Sequence, residues 1–362
     1  MESYSNEQVS LDKMKSLHLS FFVVCTLTLL VLAGCSNKSV DEPAEHRVQK
    51  SPVDLFMPGA LAQDVEIVDC TLSDGTLTSC YKITVVGTPT DHKVGPFCPR
   101  TTSATADEVG IWLDGEKLYD VTGEFILNLP TIYNDDHWML HDAQGDVRVT
   151  KTKEAFEAAA RPDVAEEYEN YCVEGRMEWL EGGKPVTTTV QIPISPVAMD
   201  VPTPARAPLG VTFNGVRIDA AAPVDAILGA YTIAAFDDCG GHVNPFEGYH
   251  VHAATGCGEV GEALQGETPA FAIAMDGYLI HSGQDRDDLD ACNGHTTEEY
   301  GYHYHARPAE LNGVLSCYMG AIVQGAQGEP PRGGPPGGRP PRGAGPAPAD
   351  AGSAPPVPHD HH

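Results

Sequence analysis

The chain contains, from residue 292, the stretch Cys292-Asn293-Gly294-His295 followed by Gly301-Tyr302-His303-Tyr304-His305-Ala306. It repeats an earlier stretch, Asp238-Cys239-Gly240-Gly241-His242 followed by Gly248-Tyr249-His250-Val251-His252-Ala253. In both, a cysteine, two residues, a histidine and seven further residues precede a His-x-His pair. The segment 213–219 also resembles the segment 275–281, so each copy begins one strand earlier. We therefore predict an internal duplication at about 210–258 and 271–320.

The spacing of the histidines predicts metal binding. Side chains at positions i and i+2 of a β-strand point to the same face, so the two imidazoles of His-x-His can converge on one ion. The histidine eight residues earlier supplies a third nitrogen. The candidate ligands are His242, His250, His252, His295, His303 and His305. The pattern leaves open whether they form two sites or one composite cleft.

The expected ion depends on the state of Cys239 and Cys292. If they are in disulfides, the ligands are imidazoles with an aspartate such as Asp237, Asp238 or Asp290, which suits copper or zinc. If they are free, one thiolate with three imidazoles makes a closed zinc site. Export of the chain, argued below, favours the disulfide.

At these residues the chain resembles the YHYH protein family, whose motif is intact as Tyr302-His303-Tyr304-His305. The first copy departs from it, with Val251 in place of the second tyrosine. Other elements that carry the resemblance include Thr88-Pro89-Thr90-Asp91-His92, Gly95-Pro96-Phe97-Cys98 and Leu315-Ser316-Cys317-Tyr318. The resemblance spans roughly residues 65–322 and implies no established reaction.

Weaker candidate site residues lie outside the six histidines. His92 follows Asp91 within a stretch that carries the family resemblance, and His281 stands beside Ser282 at the end of a predicted strand. Asp238 and Asp276 are candidate acids near the repeated motifs. For His137 and His141, which flank Trp138, we expect a surface or packing role.

An apolar run at residues 17–33 indicates export. It is short for a transmembrane helix, which needs about 20 apolar residues, and is typical of a signal-peptide core. It ends in Leu32-Ala33-Gly34-Cys35, the pattern at which lipoprotein processing leaves an acylated cysteine. We expect a signal peptide at 1–34, a lipid on Cys35 that anchors the chain to a membrane of the cell envelope, and a flexible tether at 35–62. Ser36 favours the outer membrane if the host is Gram-negative.

Charge and cysteine content fit this location. The formal net charge is −29, from 51 acidic and 22 basic residues, which opposes binding to nucleic acid. In an oxidising compartment, eight cysteines beyond Cys25 and Cys35 are disulfide candidates. They are Cys70, Cys80, Cys98, Cys172, Cys239, Cys257, Cys292 and Cys317. Their connectivity is open, although Cys70 and Cys80 are close enough for a local hairpin bridge.

The remaining pattern predicts a mainly β fold with a few short helices. Short β-prone runs alternate with turns such as Asp114-Gly115, Asn214-Gly215 and Asp276-Gly277. One helix is expected at Lys151–Ala160, stopped by Pro162. We predict a single compact sandwich-like domain at 63–323 that contains the duplicated His-rich unit. A Pro/Gly-rich tail at 324–362, which ends in His359-Asp360-His361-His362, is expected to be disordered.

Three functions compete at this stage. The first is a metal-binding module that holds copper or zinc at the cell surface. The second is a metal-dependent hydrolase, in which a His-held ion activates water and Asp276 or Asp238 acts as general base. The third is a metal-free interaction protein with structural histidines.

Overall fold

An eight-stranded sheet organises the protein. The computed structural model describes residues 51–160, 164–261 and 266–326, and the predicted signal peptide, Cys35, Pro162 and the tail from residue 327 lie outside them. The strands are β1 (Glu66–Thr71), β2 (Leu77–Val85), β3 (Ile111–Leu113), β4 (Leu118–Asp120), β5 (Cys172–Val173), β6 (Thr188–Pro193), β7 (Ala198–Pro204), β8 (Gly210–Thr212), β9 (Arg217–Ile218), β10 (Ile233–Ala234), β11 (Gly241–Asn244), β12 (Gly248–Val251), β13 (Ala270–Ala274), β14 (Leu279–His281), β15 (Gly294–Thr297), β16 (Gly301–His305) and β17 (Cys317–Gly320).

Helices are short in the described residues. The α-helices are α1 (Gly123–Ile132), α2 (Lys153–Ala159) and α3 (Val224–Gly229). Single turns of 3-10 helix occupy Pro52–Leu55, Ala106–Glu108, Glu166–Tyr168, Met177–Trp179, Glu181–Gly183 and Ala309–Leu311. None of the described helices is long and apolar enough to cross a membrane.

The large sheet contains the duplication. Its strand order is β11-β12-β9-β8-β13-β14-β16-β15. In each half an antiparallel hairpin (β8–β9 or β13–β14) is followed by a parallel pairing (β9–β12 or β14–β16) and then by a second antiparallel hairpin. Strands β8 and β13 pair antiparallel at the centre. The two copies are therefore related by a pseudo-twofold arrangement, and the expected duplicated unit is confirmed.

A second sheet packs on the first across a shared core, which confirms the sandwich-like β fold. Its order is β1-β2-β6. Alternate residues of β2 and β6 face the large sheet because a strand exposes its side chains to opposite faces in turn. Buried residues from the two sheets form one cluster, which includes Ile83, Val85, Val190, Ile192, Val211, Phe213, Phe271 and Ile273.

A further core forms between the first copy and the preceding segment. There Trp112 of β3 stacks on Phe236 with ring centroids 6.4 Å apart, and α1 contributes Phe125, Ile126 and Leu129. The predicted helix at 151–160 is present as α2, and its N-terminus is capped by the Thr152 side chain. Helix α1, which is capped by Thr122 and contains Pro130, was not predicted from the sequence.

Residues 51–62, expected within the flexible tether, pack on the domain. The Met57 amide donates to the Phe213 carbonyl at 2.8 Å, and Ala60 is fully buried. At the other end, the Gln324 amide donates to the Thr71 carbonyl at 2.9 Å. The packed part of the chain is therefore wider than residues 63–323 at both ends.

The eight candidate cysteines form four disulfides. The pairs are Cys70–Cys80, Cys98–Cys172, Cys239–Cys257 and Cys292–Cys317. The local Cys70–Cys80 bridge joins β1 to β2, as predicted. Because Cys239 and Cys292 are both bridged, neither offers a thiolate to an ion, and the alternative of a thiolate ligand is wrong.

Candidate metal centres

The second copy brings three histidines and one glutamate to a common point. His295 on β15 lies directly opposite His303 on β16, and His305 follows on the same face of β16. Glu267, from the loop before β13, reaches the same place. One atom from each of the four residues lies within 4.8 Å of the others, and all four residues are buried.

The separations between these atoms are nearly equal. His295 Nε2 lies 3.1 Å from His303 Nε2 and 3.2 Å from His305 Nε2. Glu267 Oε2 lies 3.3, 3.4 and 3.1 Å from the Nε2 atoms of His295, His303 and His305. In a regular tetrahedron the ligand–ligand distance is about 1.6 times the metal–ligand distance, so Zn–N and Zn–O bonds of about 2.0–2.1 Å give edges of about 3.3 Å. The geometry fits a tetrahedral ion.

Hydrogen bonds on the outer side of each ring fix the direction of the nitrogens. His303 Nδ1 lies 3.0 Å from the Gly301 carbonyl, His305 Nδ1 lies 3.1 Å from the Ser282 carbonyl, and His295 Nδ1 lies 3.0 Å from an Asp288 carboxylate oxygen. Carbonyls and carboxylates only accept, so each Nδ1 carries the proton and each Nε2 directs a lone pair inward. Partners of this type orient histidine ligands in metal sites.

The glutamate is held in a similar way. The Arg286 guanidinium donates to Glu267 Oε1 at 2.8 Å, which leaves Oε2 to face the three imidazoles. Burial opposes its ionisation, but the neighbouring His303 and the positive charge of Arg286 hold the pKa of Glu267 below its ordinary value. Burial lowers the pKa of His303 and of His305, so their rings are neutral near pH 7.

The first copy forms an equivalent triplet from β11 and β12. His242 Nε2 lies 3.0 Å from His250 Nε2 and 3.2 Å from His252 Nε2. His250 Nδ1 is bonded to the Gly248 carbonyl at 3.1 Å, as in the second copy, and His252 Nδ1 to the Ala220 carbonyl at 2.5 Å. Burial lowers the pKa of His242 and of His250 well below the ordinary value, so these two rings are also neutral.

The two centres differ in what completes them. Among the described residues, the group of close ligand atoms that holds the three histidines of the first copy has no fourth member, and His250 also forms a second group with Asp219 and Glu247. When the copies are aligned at Asn214 and Asp276, Ala205 stands where the second copy has Glu267. Asp219 Oδ2 lies 3.6 Å from His250 Nε2, but the Arg217 guanidinium binds both oxygens of Asp219 at 2.7 and 2.8 Å. The first triplet faces a cavity of about 310 Å³ instead.

The triplets are separate sites. Strands β12 and β16 are five positions apart in the sheet order. With an inter-strand spacing of about 4.8 Å, this places them roughly 24 Å apart. The six histidines therefore do not form one composite cleft.

A turn shared by both copies positions the first histidine of each triplet. The Asp237 carboxylate accepts from the amides of Cys239 and Gly241 and from the Tyr249 hydroxyl. In the second copy Asp290 accepts from the amides of Cys292 and Gly294 and from the Tyr302 hydroxyl. Both carboxylates are therefore engaged in the turn, and neither points to the imidazoles as a ligand.

The glycines of this turn follow from the same geometry. Gly240 has φ +72° and its counterpart Asn293 has φ +61°, a left-handed conformation that favours these two residue types. At Gly241 and Gly294, a Cβ would collide with the hydroxyl of the tyrosine that bonds the aspartate. The motif Asp-x-Cys-[Gly/Asn]-Gly-His followed by Gly-Tyr-His-x-His is thus one structural unit.

The weaker candidates lie outside the two groups. His92 contacts Asp91 at 2.7 Å and the Tyr249 hydroxyl at 3.2 Å. A separate group of close ligand atoms joins His92 to Cys239 and Cys257, which are bridged to each other. Asp276 accepts from the Tyr304 hydroxyl at 2.6 Å, and Asp238 accepts through its backbone carbonyl from Thr255.

His281 lies beside the second triplet without joining it. Its ring centroid is 4.5 Å from that of His303, and its Nδ1 donates to the Thr268 carbonyl at 2.6 Å. Its Nε2 is buried with no hydrogen-bond partner in the part of the chain that the structure describes. Burial, followed by the neighbouring His303, lowers the pKa of His281 to about 4.

Sequence reasoning missed Glu267. It stands 28 residues before His295 in a loop, outside both repeated motifs. The sequence contains no pattern that links this loop carboxylate to the histidines of β15 and β16, so its position beside them is seen only in the folded chain. His137, for which a surface or packing role is expected, is exposed and bonded to Asp135.

Fold and site together define a β-sandwich protein with two three-histidine clusters that can each hold a metal ion. Residues 189–288 match the model of the family described as YHYH protein, which supports the resemblance carried by the repeated motifs. The match covers the first triplet, Glu267 and His281, and it ends before the motif Tyr302–His305. No curated protein and no solved structure matches the chain.

Proposed function

We propose that this chain is a metal-binding protein of the cell envelope that holds one zinc ion in each copy of its duplicated domain. The supporting observation is the convergence of acceptor atoms. In the second copy, five of the six separations among three Nε2 atoms and a carboxylate oxygen are 3.1–3.4 Å. Acceptors repel one another at such distances unless a cation lies between them.

The types of ligand atoms and their arrangement favour zinc over copper. Three imidazoles and one carboxylate in a tetrahedron are ligands and a geometry that zinc adopts. Copper(I) favours soft sulfur ligands and copper(II) favours tetragonal arrangements. Cys239 and Cys292, the cysteines of the two histidine motifs, are both in disulfides, so neither supplies a thiolate ligand.

Metal content tests the proposal. Full-length protein purified from its native compartment should carry two zinc ions per chain by elemental analysis. His303→Ala with His305→Ala should reduce this to one, and the matched pair His137→Ala with His141→Ala should leave two. Protein that carries no metal, and that does not take up zinc, would contradict the proposal.

A hydrolase is a second candidate, favoured by the difference between the two centres. A saturated four-residue site is typical of structural zinc, whereas three protein ligands with an open position are typical of catalytic zinc, which lowers the pKa of a bound water. Asp219, held by Arg217, lies beside His250 and can orient such a water. Zinc-dependent hydrolysis of p-nitrophenyl acetate that is lost in His250→Ala and kept in His303→Ala would support this function, and equal loss in both variants would contradict it.

We also propose that Cys35 carries the lipid that holds the domain at the membrane, in the outer membrane if the host is Gram-negative. Four disulfides suit an oxidising compartment outside the cytoplasm. Labelled palmitate should enter the wild-type protein and not Cys35→Ala, and the variant should leave the membrane fraction. Release of the wild type by salt alone would contradict the anchor.

A further inference from the structure

The first triplet opens into a cavity whose walls are mostly small and apolar. The volume is about 310 Å³. Its aliphatic and aromatic lining includes Phe156, Val173, Ala220, Ala222, Ala226 and Ile227. Asn244 and Thr232 also line it, and so do Asp219 and Glu247, whose carboxylates lie within 4.8 Å of a ring nitrogen of His250. The polar end of the cavity is the part beside His250, Asp219 and Glu247.

The second copy indicates what the open position accepts. There the fourth corner is taken by the Glu267 carboxylate, which lies 3.1–3.4 Å from the three Nε2 atoms. The first copy has Ala205 at the aligned position. The site is otherwise built from the same turns, strands and histidines, so a carboxylate from outside the chain can occupy the corner that Glu267 occupies internally.

Charge at the polar end is consistent with an anion. Neutral imidazoles leave the charge of a divalent ion uncompensated. Asp219 is paired with Arg217 through both of its oxygens, and Glu247 lies 3.8 Å from the same guanidinium. With zinc bound, the two carboxylates, one guanidinium and the ion leave a net charge of about +1, which one carboxylate neutralises.

The size of the cavity sets the length of the ligand. An apolar cavity of about 150 Å³ holds benzene, so about twice that volume accommodates roughly ten to twelve non-hydrogen atoms. A cavity near 300 Å³ is at the small end of ligand sites. Since the walls are mainly alanine and other aliphatic side chains, a flexible aliphatic chain fits better than a fused aromatic ring.

We infer that the first-copy centre binds a medium-chain aliphatic carboxylate, with its carboxylate on the metal and its chain in the alanine-lined cavity. This inference rests on the proposed metal site. It assigns the two copies different roles, because the second centre is closed by Glu267 and the first is closed by a ligand.

Cobalt-substituted full-length protein provides the test, since the visible absorption of cobalt(II) reports its coordination. Titration with octanoate should change the spectrum and saturate at one octanoate per chain. Octanoate should bind at least tenfold more tightly than acetate, which lacks the chain, and octylammonium, which lacks the carboxylate, should not change the spectrum. Ala226→Phe, which fills the cavity, should weaken octanoate at least tenfold and keep two metal ions, whereas the exposed control Ala198→Phe should bind octanoate as wild type does.

The outcomes separate the two proposals. Protein that takes up no metal contradicts the proposed function itself. Two bound ions with no spectral response to octanoate, or a response unchanged in Ala226→Phe, overturn the carboxylate inference alone. If Glu267→Gln makes the second centre respond to octanoate while wild type shows no response, the first centre is closed by Asp219 and the inference is wrong.

Discussion

Replacing Glu267 by glutamine separates the two centres most cleanly. The change keeps the shape of the side chain and removes its charge from a buried position between three imidazoles and Arg286. Arg286 keeps its two bonds to Asp288 at 2.8 and 2.9 Å, so the loop retains its main charged contact. We expect zinc to bind more weakly in the second copy and unchanged in the first.

The magnitude follows from the cost of breaking a buried charge pair. Loss of one partner costs about 3–5 kcal/mol, and each 1.4 kcal/mol is a factor of ten. Zinc affinity at the second centre should therefore fall by roughly 10²- to 4 × 10³-fold. Competition with a chromophoric chelator, followed over the release of both ions, measures the two affinities separately.

The matched control is Glu259→Gln. Glu259 is exposed and accepts from the hydroxyl of Ser282, which directly follows β14. It lies outside the group of ligand atoms that contains Glu267. It should release zinc as the wild type does. Equal weakening of both ions in Glu267→Gln, or no weakening at all, would refute the assignment of Glu267 as the fourth ligand.

Three further outcomes are expected. Removal of both ions should lower the midpoint of thermal unfolding by roughly 10–20 °C in calorimetry. Each ion at 100 times its Kd contributes about 2.7 kcal/mol, so two contribute about 5.4 kcal/mol, and about 1 kcal/mol shifts the midpoint by roughly 2–4 °C. Unchanged melting would favour a metal-free interaction protein with structural histidines. Gly294→Ala should lower the free energy of unfolding in urea by about 1–3 kcal/mol, because the added methyl group displaces the Tyr302 hydroxyl from its contact with the turn. An unchanged midpoint of urea unfolding would contradict this packing. Burial raises the pKa of Asp276 to about 6 from 3.8, so the folded protein favours the protonated carboxyl. The resulting stability, about 3 kcal/mol, is present below pH 4 and is lost as the pH rises through 6. In metal-free protein, Asp276→Asn should remove this part of the pH dependence of unfolding, and a profile identical to that of the wild type would contradict it.

Much of the fold was predictable because its signals are local. The hairpin turns at Asn214-Gly215 and Asp276-Gly277 join β8 to β9 and β13 to β14, as their sequences indicate. The equal spacing of the two histidine sets predicted their convergence, since a strand places i and i+2 on one face. The parallel pairings of β9 with β12 and of β14 with β16 were not predictable, because each joins strands that are not neighbours along the chain.

The parts of the site that sequence did not reveal depend on long-range contacts. Glu267 reaches the histidines only because β13 and β16 belong to one half of the same sheet. The aspartates near the motif were considered as ligands, yet Asp237 and Asp290 bond the turn amides and a tyrosine hydroxyl instead. The cavity beside the first triplet is formed partly by α2 and α3, which lie outside the two repeated histidine motifs.

Anomalous X-ray diffraction at the zinc edge, from crystals of protein purified without added metal, tests the central claim most directly. Two peaks are expected roughly 24 Å apart, each about 2.0–2.1 Å from three Nε2 atoms, with Glu267 as the fourth protein ligand in the second copy alone. A single peak, a peak away from both triplets, or none after soaking in zinc would contradict the account.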